Sequence, residues 1–330
     1  MELSRHIVSF AKKNHGRRIT PQNTLCLFCQ PRGGSTWLAE LLMYLPNSVL
    51  IDEPLWRGKM LQPFKNPNPA DRKVPRIAEL NFFYNQPIPE NAHWPEARDV
   101  FEDIISGRVP SLGLYEEQDL RRLRHGSFYI TKFNYANMLM PWLIKQFDFN
   151  SIVLTRHPCA VVASQLKHRQ WQDLSIPING ILPNFPFQDM YLSAIQKVGK
   201  IDSRTKYLAL IWAMGFKNTV MHPKNNNQNW LIISYEGLVS NPLLEIDRIK
   251  NQFSYPLHES IIEFKKPSKS TGIGSLQNLR SGRQISLWKK TLSTKQKIII
   301  FDVLEKMEID LYTENTEPDY SRLYFKLAKP

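Results

Sequence analysis

The sequence of 330 residues predicts an α/β fold, in which helices flank both faces of a central parallel β-sheet. Short apolar runs rich in β-branched or aromatic residues predict strands that are buried on both faces. Segments with helical periodicity separate these runs, which favours parallel rather than antiparallel pairing. A hydrophobic content of 42%, with aromatic residues making up 11% of the chain, excludes wholesale disorder.

The individual elements follow from the period of the apolar residues along the chain. Strands are predicted at Leu25 to Cys29, Val49 to Ile51, Phe128 to Phe133, Ser151 to Thr155 and Trp230 to Ser234. Helices are predicted at Thr36 to Tyr44, Met138 to Phe147, Ala160 to His168, Tyr207 to Met221, Pro242 to Gln252 and Thr294 to Lys306.

The stretch from Pro31 to Trp37 lies directly between the first strand and the first predicted helix. Its two glycines let the backbone approach an anion closely, and its two hydroxyl residues can cap the helix while donating hydrogen bonds. Its arginine offers a planar fork for phosphate or sulfate oxygens. An anion site at the positive end of a helix dipole is therefore predicted. The residues are Arg32, Gly33, Gly34, Ser35 and Thr36.

A second constellation follows the fourth predicted strand. Arg156 stands at the carboxyl end of that strand, where open α/β sheets bind ligands. Pro158 suits the first turn of the next helix, and Ser164 follows Arg156 by eight residues, about two helical turns. Both side chains can then reach one compact anion. Taken alone, the pair also fits an arginine at a sheet edge and a serine on an exposed helix face.

The three cysteines do not form an extracellular disulfide framework. Cys26 and Cys29 have Cys-x-x-Cys spacing, but they lie in the first predicted strand, where residues three apart point to opposite faces. We interpret them as buried strand residues rather than a metal or redox pair.

The net charge of +13 indicates a polyanionic partner. Residues 1–20 form a basic segment that lacks the continuous apolar core of a signal peptide, and no apolar run is long enough to span a membrane. A cytoplasmic protein is expected, provided that no leader has been removed. A non-enzymatic binder of nucleic acid or another anion is one alternative, although the basic residues are dispersed and no nucleic-acid motif is visible.

Taken together, the two anion-binding constellations resemble the nucleotide-binding signatures of PAPS-dependent sulfotransferases. The family's first motif, Pro-Lys/Arg-x-Gly-Thr/Ser-Thr-x, embraces the 5′-phosphosulfate, and its second is a strand ending in Arg-Asp-Pro with a serine eight residues after the arginine. That second motif binds the 3′-phosphate. This chain has His157 where the family has aspartate. The matches are Pro31, Arg32, Gly34, Ser35 and Thr36 in the first motif, and Arg156, Pro158 and Ser164 in the second.

Further matches extend the resemblance along the chain. Trp37 matches the tryptophan that stacks on adenine in cytosolic members, and Tyr235 matches a tyrosine near the nucleotide. Arg280 and Gly282, ahead of Trp288, resemble a late Arg-Lys-Gly…Trp-Lys element, with Ser for Lys and one extra residue before the tryptophan. The resemblance implies one sulfotransferase domain over 1–330 with a P-loop, nucleotide-kinase-like fold. It also implies PAPS as co-substrate, PAP as product and no metal.

The resemblance also implies three catalytic residues. Arg32 is assigned to the bridging and leaving oxygens, and Lys132 matches a strand-end lysine that contacts the transferring sulfuryl group. Glu53 lies in a Glu-Pro-Leu-Trp segment like that of carbohydrate sulfotransferases and is the expected base. Asp52 is its rival, because strand alternation lets only one of the two face the site. Asn134 occupies the position of the histidine base of cytosolic members and cannot take a proton.

The acceptor is expected between two irregular insertions, residues 54–127 and 169–204. The Glu-Pro-Leu-Trp segment favours a carbohydrate or glycolipid hydroxyl, and the aromatic residues in the insertions suit a small-molecule or lipidic alcohol equally well. A P-loop kinase or NTPase is the other alternative. Its loop needs a lysine before the Ser/Thr, and none precedes Ser35. No sequence feature defines the oligomeric state.

Overall fold

A computed structural model describes residues 2–55, 73–80, 82, 85–115, 120–168, 171, 186–225, 227–257 and 283–325. A five-stranded sheet with the order β2-β3-β1-β4-β5 lies at its centre, and all four pairings are parallel. The predicted α/β class is therefore confirmed. The strands are β1 (Thr24–Cys29), β2 (Ser48–Asp52), β3 (Phe128–Asn134), β4 (Asn150–Thr155) and β5 (Trp230–Ser234).

Helices cover both faces of the sheet, and the six that periodicity predicts are all present within a few residues of their predicted ends. In chain order the helices are α1 (Glu2–Lys13), α2 (Ser35–Leu42), α3 (Arg76–Glu79), α4 (Pro95–Ile105), α5 (Leu112–Tyr115), α6 (Leu120–His125), α7 (Met140–Gln146), α8 (Pro158–Lys167), α9 (Asp189–Val198), α10 (Arg204–Thr219), α11 (Tyr235–Ser240), α12 (Pro242–Phe253), α13 (Trp288–Thr291), α14 (Thr294–Lys306) and α15 (Tyr320–Phe325). None of the described helices combines the length and apolarity that crossing a bilayer requires.

Strand β1 is buried along its whole length, and its side chains alternate between two hydrophobic cores. Cys26 and Phe28 belong to the larger core on one face, whereas Leu27 and Cys29 belong to the smaller core on the other. The prediction that the two cysteines point to opposite faces is thus confirmed, and both are free thiols. Burial raises the pKa of the Cys29 thiol to about 12, which makes it unreactive.

The parallel register brings the carboxyl ends of all five strands to the same end of the sheet, which we call the sheet edge. Asp52 at the end of β2 pairs with Lys132 of β3, and Cys29 at the end of β1 pairs with Asn134. On the other side of β1, the last residue of β4 pairs with the last residue of β5. Residues that are far apart in the sequence are therefore neighbours along this edge, where open parallel sheets bind their ligands.

The basic N-terminal segment forms an amphipathic helix that the sequence analysis did not predict. Ile7 and Phe10 of α1 are buried in the larger core, and the Arg17 guanidinium lies 3.8 Å from the ring centroid of Tyr129. The i, i+3 spacing of Ile7 and Phe10 was a readable signal. The segment 54–127 likewise contains a core helix, α4, which buries Phe101 completely.

Because α1 packs on the core, shortening a buried side chain of this helix should lower the free energy of unfolding. The Phe10 ring meets Tyr115 edge-on at 5.3 Å between centroids and is 2% exposed. We expect Phe10→Ala to lower the free energy of unfolding by about 3–5 kcal/mol, measured by urea denaturation. Val8→Ala on the same helix is the control, because Val8 is 43% exposed and its truncation should cost less than about 0.5 kcal/mol. Equal effects of the two substitutions would contradict the docking.

Candidate active site

The chain leaves β1 through a tight turn that only glycine can complete. The Gly33 N–H donates to the Gln30 carbonyl oxygen at 2.8 Å, and a Cβ on Gly33 would overlap Cys29 Sγ and that same carbonyl. Gly34 follows with a φ of 102°, and a Cβ there would strike the ring of Tyr235. Both glycines are therefore required by geometry, one by close packing and the other also by its left-handed backbone.

The expected capping of α2 by Ser35 and Thr36 is wrong. The N-cap residue is Gly34, and no side chain caps this helix end. Ser35 begins the helix, and its Oγ donates instead to Asn134 Oδ1 at 3.0 Å. The physical reason is the left-handed Gly34, which places both hydroxyl residues inside the first turn. Gly34 has no side chain that could accept from the first N–H groups of α2, and such a helix end attracts an anion.

Two arginines face this helix end without a carboxylate partner among the described residues. Arg32 Nε donates to Ser164 Oγ at 3.2 Å, and Arg156 Nη1 donates to the backbone oxygen of Arg32 at 3.1 Å. Burial lowers the pKa of Arg32, and the neighbouring charge of Arg156 lowers it further. Arg156 Nε is buried and has no hydrogen-bond partner in the described part of the chain. The two guanidinium groups therefore keep capacity for an anion, because Glu53 and Glu236 act on them only at longer range than an ion pair.

Aromatic and backbone contacts hold Arg156 in place. Its guanidinium carbon lies 4.1 Å from the ring centroid of Tyr235, and Trp212 Nε1 donates to its carbonyl oxygen at 3.0 Å. Tyr235 is 7% exposed and meets half-buried Trp37 edge-on at 5.9 Å. The two predicted nucleoside-contacting aromatics are therefore brought together behind the loop, with Arg156 over one of them.

His157 performs the capping role that an aspartate would have at the start of α8. Its Nδ1 accepts from the Cys159 N–H at 3.1 Å, and its Nε2 donates to the Thr313 carbonyl oxygen at 2.9 Å. The ring also stacks on Trp288 at 4.4 Å. Burial lowers the pKa of His157 to about 4, so the neutral ring fits this pattern of one accepted and one donated bond.

A buried carboxylate ties the ends of β4 and β5 together beneath Arg156. Glu236 accepts from the His157 N–H and from Ser234 Oγ, both at 2.9 Å, and from Tyr312 Oη at 3.4 Å. Burial raises the pKa of Glu236. These bonds fix the connection from which Arg156 projects.

Lys132 is the buried cation of the neighbouring strands. Its Nζ lies 2.6 Å from Asp52 Oδ1 and 3.1 Å from Glu53 Oε1, and it donates to Thr36 Oγ1 at 3.4 Å. Burial by itself would lower the pKa of Lys132, but the two carboxylates outweigh burial and raise it. This ammonium is therefore charged and directed at the start of α2, unlike an ordinary strand-end lysine in solvent.

The expectation that only one of Asp52 and Glu53 faces the site is wrong, because both contact Lys132. Alternation fails since Glu53 has left the strand with a φ of 46°. Lys73 Nζ contacts Asp52 Oδ2 at 3.0 Å, so two lysines share this carboxylate. Burial would raise the pKa of Asp52, but Lys132 and Lys73 outweigh it and lower the pKa.

Glu53 has a different set of partners. Its Oε1 accepts from Asn134 Nδ2 at 2.7 Å and contacts Lys132, whereas its Oε2 has no hydrogen-bond partner among the described residues. The Glu53 side chain is 19% exposed, so its carboxylate is not fully enclosed by the protein. The sequence analysis treats Asn134 only as a residue that cannot act as a base and does not predict its hydrogen bonds to Ser35 and Glu53. Asn134 follows Lys132 by two residues and so lies on the same face of β3.

The chain takes up a positive φ at a non-glycine residue shortly after each of three adjacent strands. Arg32 after β1 has a φ of 69°, Glu53 after β2 a φ of 46° and Tyr135 after β3 a φ of 72°. Such backbones cost about 1–3 kcal/mol each and cluster at functional sites. Arg280 and Gly282, the remaining predicted contacts, lie outside the described residues.

No protein-family model and no curated protein matches the sequence. Similar solved structures include a sulfotransferase domain from the Synechococcus PCC 7002 olefin synthase, 15% identical with a TM-score of 0.48 over 90% of this chain and 98% of that one. A sulfotransferase domain from the curacin biosynthetic pathway is 13% identical with a TM-score of 0.45 over 89% and 99%. Mouse sulfotransferase SULT7A1 complexed with PAP is 14% identical with a TM-score of 0.44 over 92% and 90%.

The left-handed turn at Gly34 predicts a specific loss of stability. We expect Gly34→Ala to lower the free energy of unfolding by at least about 2 kcal/mol, because a Cβ is disfavoured at this φ and must also displace the Tyr235 ring. Urea denaturation measures this. Gly16→Ala is the control, since a Cβ added at Gly16 would meet nothing within 4 Å. A Gly34 variant as stable as the control would overturn this geometry.

The neutral His157 predicts a pH dependence. The His157 ring is protonated near pH 6.5 in the unfolded chain and only near pH 4 in the folded chain. The free energy of unfolding therefore falls as the pH drops from 6.5 to 4, by up to about 3 kcal/mol. In His157→Asn the amide oxygen can keep the bond to Cys159 without titrating. The free energy of unfolding of this variant should therefore fall less steeply between pH 6.5 and pH 4. The raised pKa of Glu236 increases stability as the pH drops, but it does so equally in wild type and variant. If the two proteins show parallel curves of stability against pH, the assignment of a neutral His157 is contradicted.

Proposed function

We propose that this protein transfers a sulfuryl group from PAPS to a hydroxyl or amine of its acceptor. One observation carries the proposal: two arginines without acidic partners among the described residues flank the glycine turn, and the Lys132–Glu53 pair stands beside it. The arginines supply charge for a nucleotide with several anionic groups. The adjacent pair supplies a carboxylate and an ammonium for proton and group transfer.

The nucleotide is assigned to residues on both sides of β1. The start of α2, with Ser35 and Thr36, would hold the 5′-phosphate. Arg156, which directly follows β4, and Ser164 of α8 would hold the 3′-phosphate. The buried Arg156 Nε, which has no partner among the described residues, supports the second assignment, because an anion there would satisfy it. The full set is Arg32, Gly33, Gly34, Ser35 and Thr36 for the 5′ side, Arg156 and Ser164 for the 3′ side, Trp37 and Tyr235 for the nucleoside, and Arg280 and Gly282 as further contacts.

The reaction is an in-line displacement at sulfur, by analogy with phosphoryl transfer. The acceptor oxygen or nitrogen forms a bond to sulfur while the bond from sulfur to the 5′-phosphate oxygen breaks, and PAP leaves. The acceptor proton passes to Glu53 Oε2. Lys132 stabilises the charge on the transferring group, and Arg32, once it exchanges Ser164 for the nucleotide, stabilises the leaving oxygen.

Glu53 is the preferred base over Asp52 because of their different partners. Asp52 is neutralised by two lysines, and each lysine occupies a different carboxylate oxygen. Among the described residues, Glu53 contacts one lysine, Lys132, and one of its oxygens has no hydrogen-bond partner. A carboxylate that is already paired at both oxygens accepts a third proton donor less readily.

The acceptor is proposed to be a carbohydrate, a glycolipid or another small or lipidic alcohol. The insertions 54–127 and 169–204 would form its walls, since Glu53 lies directly before the first of them. One sulfotransferase domain over 1–330 is the corresponding domain organisation.

Transfer from labelled PAPS to a pooled cell extract tests the proposal. We expect wild-type protein to label an acceptor and Glu53→Gln to lower kcat by about 10²- to 10⁴-fold, because the general base is lost. PAP affinity, measured by calorimetry, should change less than about threefold, since Glu53 is not a proposed phosphate ligand. Glu305→Gln, an exposed change on α14, is the control.

Full turnover by folded Glu53→Gln would refute the base assignment. Absence of both labelling and PAP binding in the wild-type protein would refute the function. Binding of ATP with magnesium but not of PAP would instead indicate the kinase alternative.

A further inference from the structure

Asn134 links the two halves of the site through one side chain. Its amide is 5% exposed at the end of β3, between the phosphate loop and the proposed base. Its Oδ1 accepts from Ser35 Oγ at 3.0 Å, and its Nδ2 donates to Glu53 Oε1 at 2.7 Å. The direction of both bonds is fixed, because a carboxylate only accepts and the amide oxygen only accepts.

On the loop side, this contact occupies the only proton of the Ser35 hydroxyl. A hydroxyl has one hydrogen to donate, so Ser35 cannot donate to Asn134 and to a phosphate oxygen at the same time. A phosphate bound at the start of α2 therefore competes with Asn134 for that hydrogen. The exchange leaves the Asn134 oxygen without its buried partner, which opposes nucleotide binding.

On the base side, the contact decides which Glu53 oxygen faces the acceptor. Asn134 and Lys132 both occupy Oε1, which leaves Oε2 as the oxygen available to the acceptor. Lys132 by itself cannot fix the rotation of the carboxylate, since it is also shared with Asp52. Asn134 is a neutral donor that orients Glu53 without taking its charge.

We propose that Asn134 is a positioning residue that orients Glu53 for proton transfer and competes with the nucleotide phosphate for the hydroxyl of Ser35. The proposal rests on the proposed function: its affinity arm needs only the proposed binding of PAP, and its turnover arm also needs sulfuryl transfer. It predicts opposite effects on the two steps: removing Asn134 improves nucleotide binding and impairs transfer. A residue with a merely structural role would impair both together.

Calorimetry with PAP and transfer from labelled PAPS test this in Asn134→Ala, Ser35→Ala and the double variant. We expect Asn134→Ala to bind PAP about three- to tenfold more tightly than wild type, because the competing bond is gone. Its kcat should fall about tenfold or more, because the carboxylate loses its orientation. In the Ser35→Ala background, Asn134→Ala should change PAP affinity less than about twofold.

Asn150→Ala is the matched control, a strand asparagine that is also 5% exposed, at the opposite end of the sheet. Its Nδ2 donates to the Pro21 carbonyl oxygen and to Tyr255 Oη, so it reports loss of a buried amide alone. PAP affinity and turnover per folded molecule should change less than about twofold in it.

Weaker PAP binding by Asn134→Ala, an affinity gain that persists in the Ser35→Ala background, or a kcat within threefold of wild type would each overturn the proposal. If wild-type protein binds PAP but transfers nothing, the proposed function fails, and the affinity cycle alone then decides on Asn134.

Discussion

The arrangement of the site depends on the unequal neutralisation of its cations, of which Lys132 is buried and Arg32 and Arg156 are half-buried. Lys132 is balanced by Asp52 and Glu53, whereas Arg32 and Arg156 meet only hydroxyl, backbone and aromatic groups among the described residues. Removing one partner of a buried ion pair costs about 3–5 kcal/mol, because it leaves the other charge uncompensated in the interior, so Lys132 and its carboxylates depend on one another. The arginines keep their attraction for an external anion. The sheet edge is therefore divided into two parts. At β2 and β3 the charge of Lys132 is balanced by carboxylates, and after β1 and β4 the arginines Arg32 and Arg156 form a cationic part.

Rigid supports keep these two parts in register. Parallel pairing sets Asp52 beside Lys132, while the network around Glu236 and His157 fixes the connection that carries Arg156. The three left-handed residues after β1, β2 and β3 store about 1–3 kcal/mol each, which the packed strands must offset. This cost is understandable if those backbones aim Arg32 and Glu53 at a common ligand.

The sequence was sufficient for every strand and for the helices with strong periodicity, because burial on both faces leaves an unmistakable pattern. Details that depend on single backbone angles were not predictable from it. The cap of α2 is Gly34 instead of Ser35 because of one positive φ, and Glu53 escapes strand alternation for the same reason. Asn134 offers no signal as a base because it cannot take a proton, and its value lies in two hydrogen bonds that only the fold brings together.

If Arg32 and Arg156 recognise a nucleotide with two separate phosphate groups, the protein must distinguish ligands that differ in one phosphate. PAP and adenosine 5′-phosphate should be titrated calorimetrically into wild-type protein and Arg156→Met, which keeps an apolar chain over Tyr235. We expect wild type to prefer PAP by about 10- to 100-fold, as charged hydrogen bonds would give, and the variant to lose most of this preference. Equal affinity of wild type for the two ligands, or an undiminished preference in the variant, would contradict this recognition of two phosphate groups.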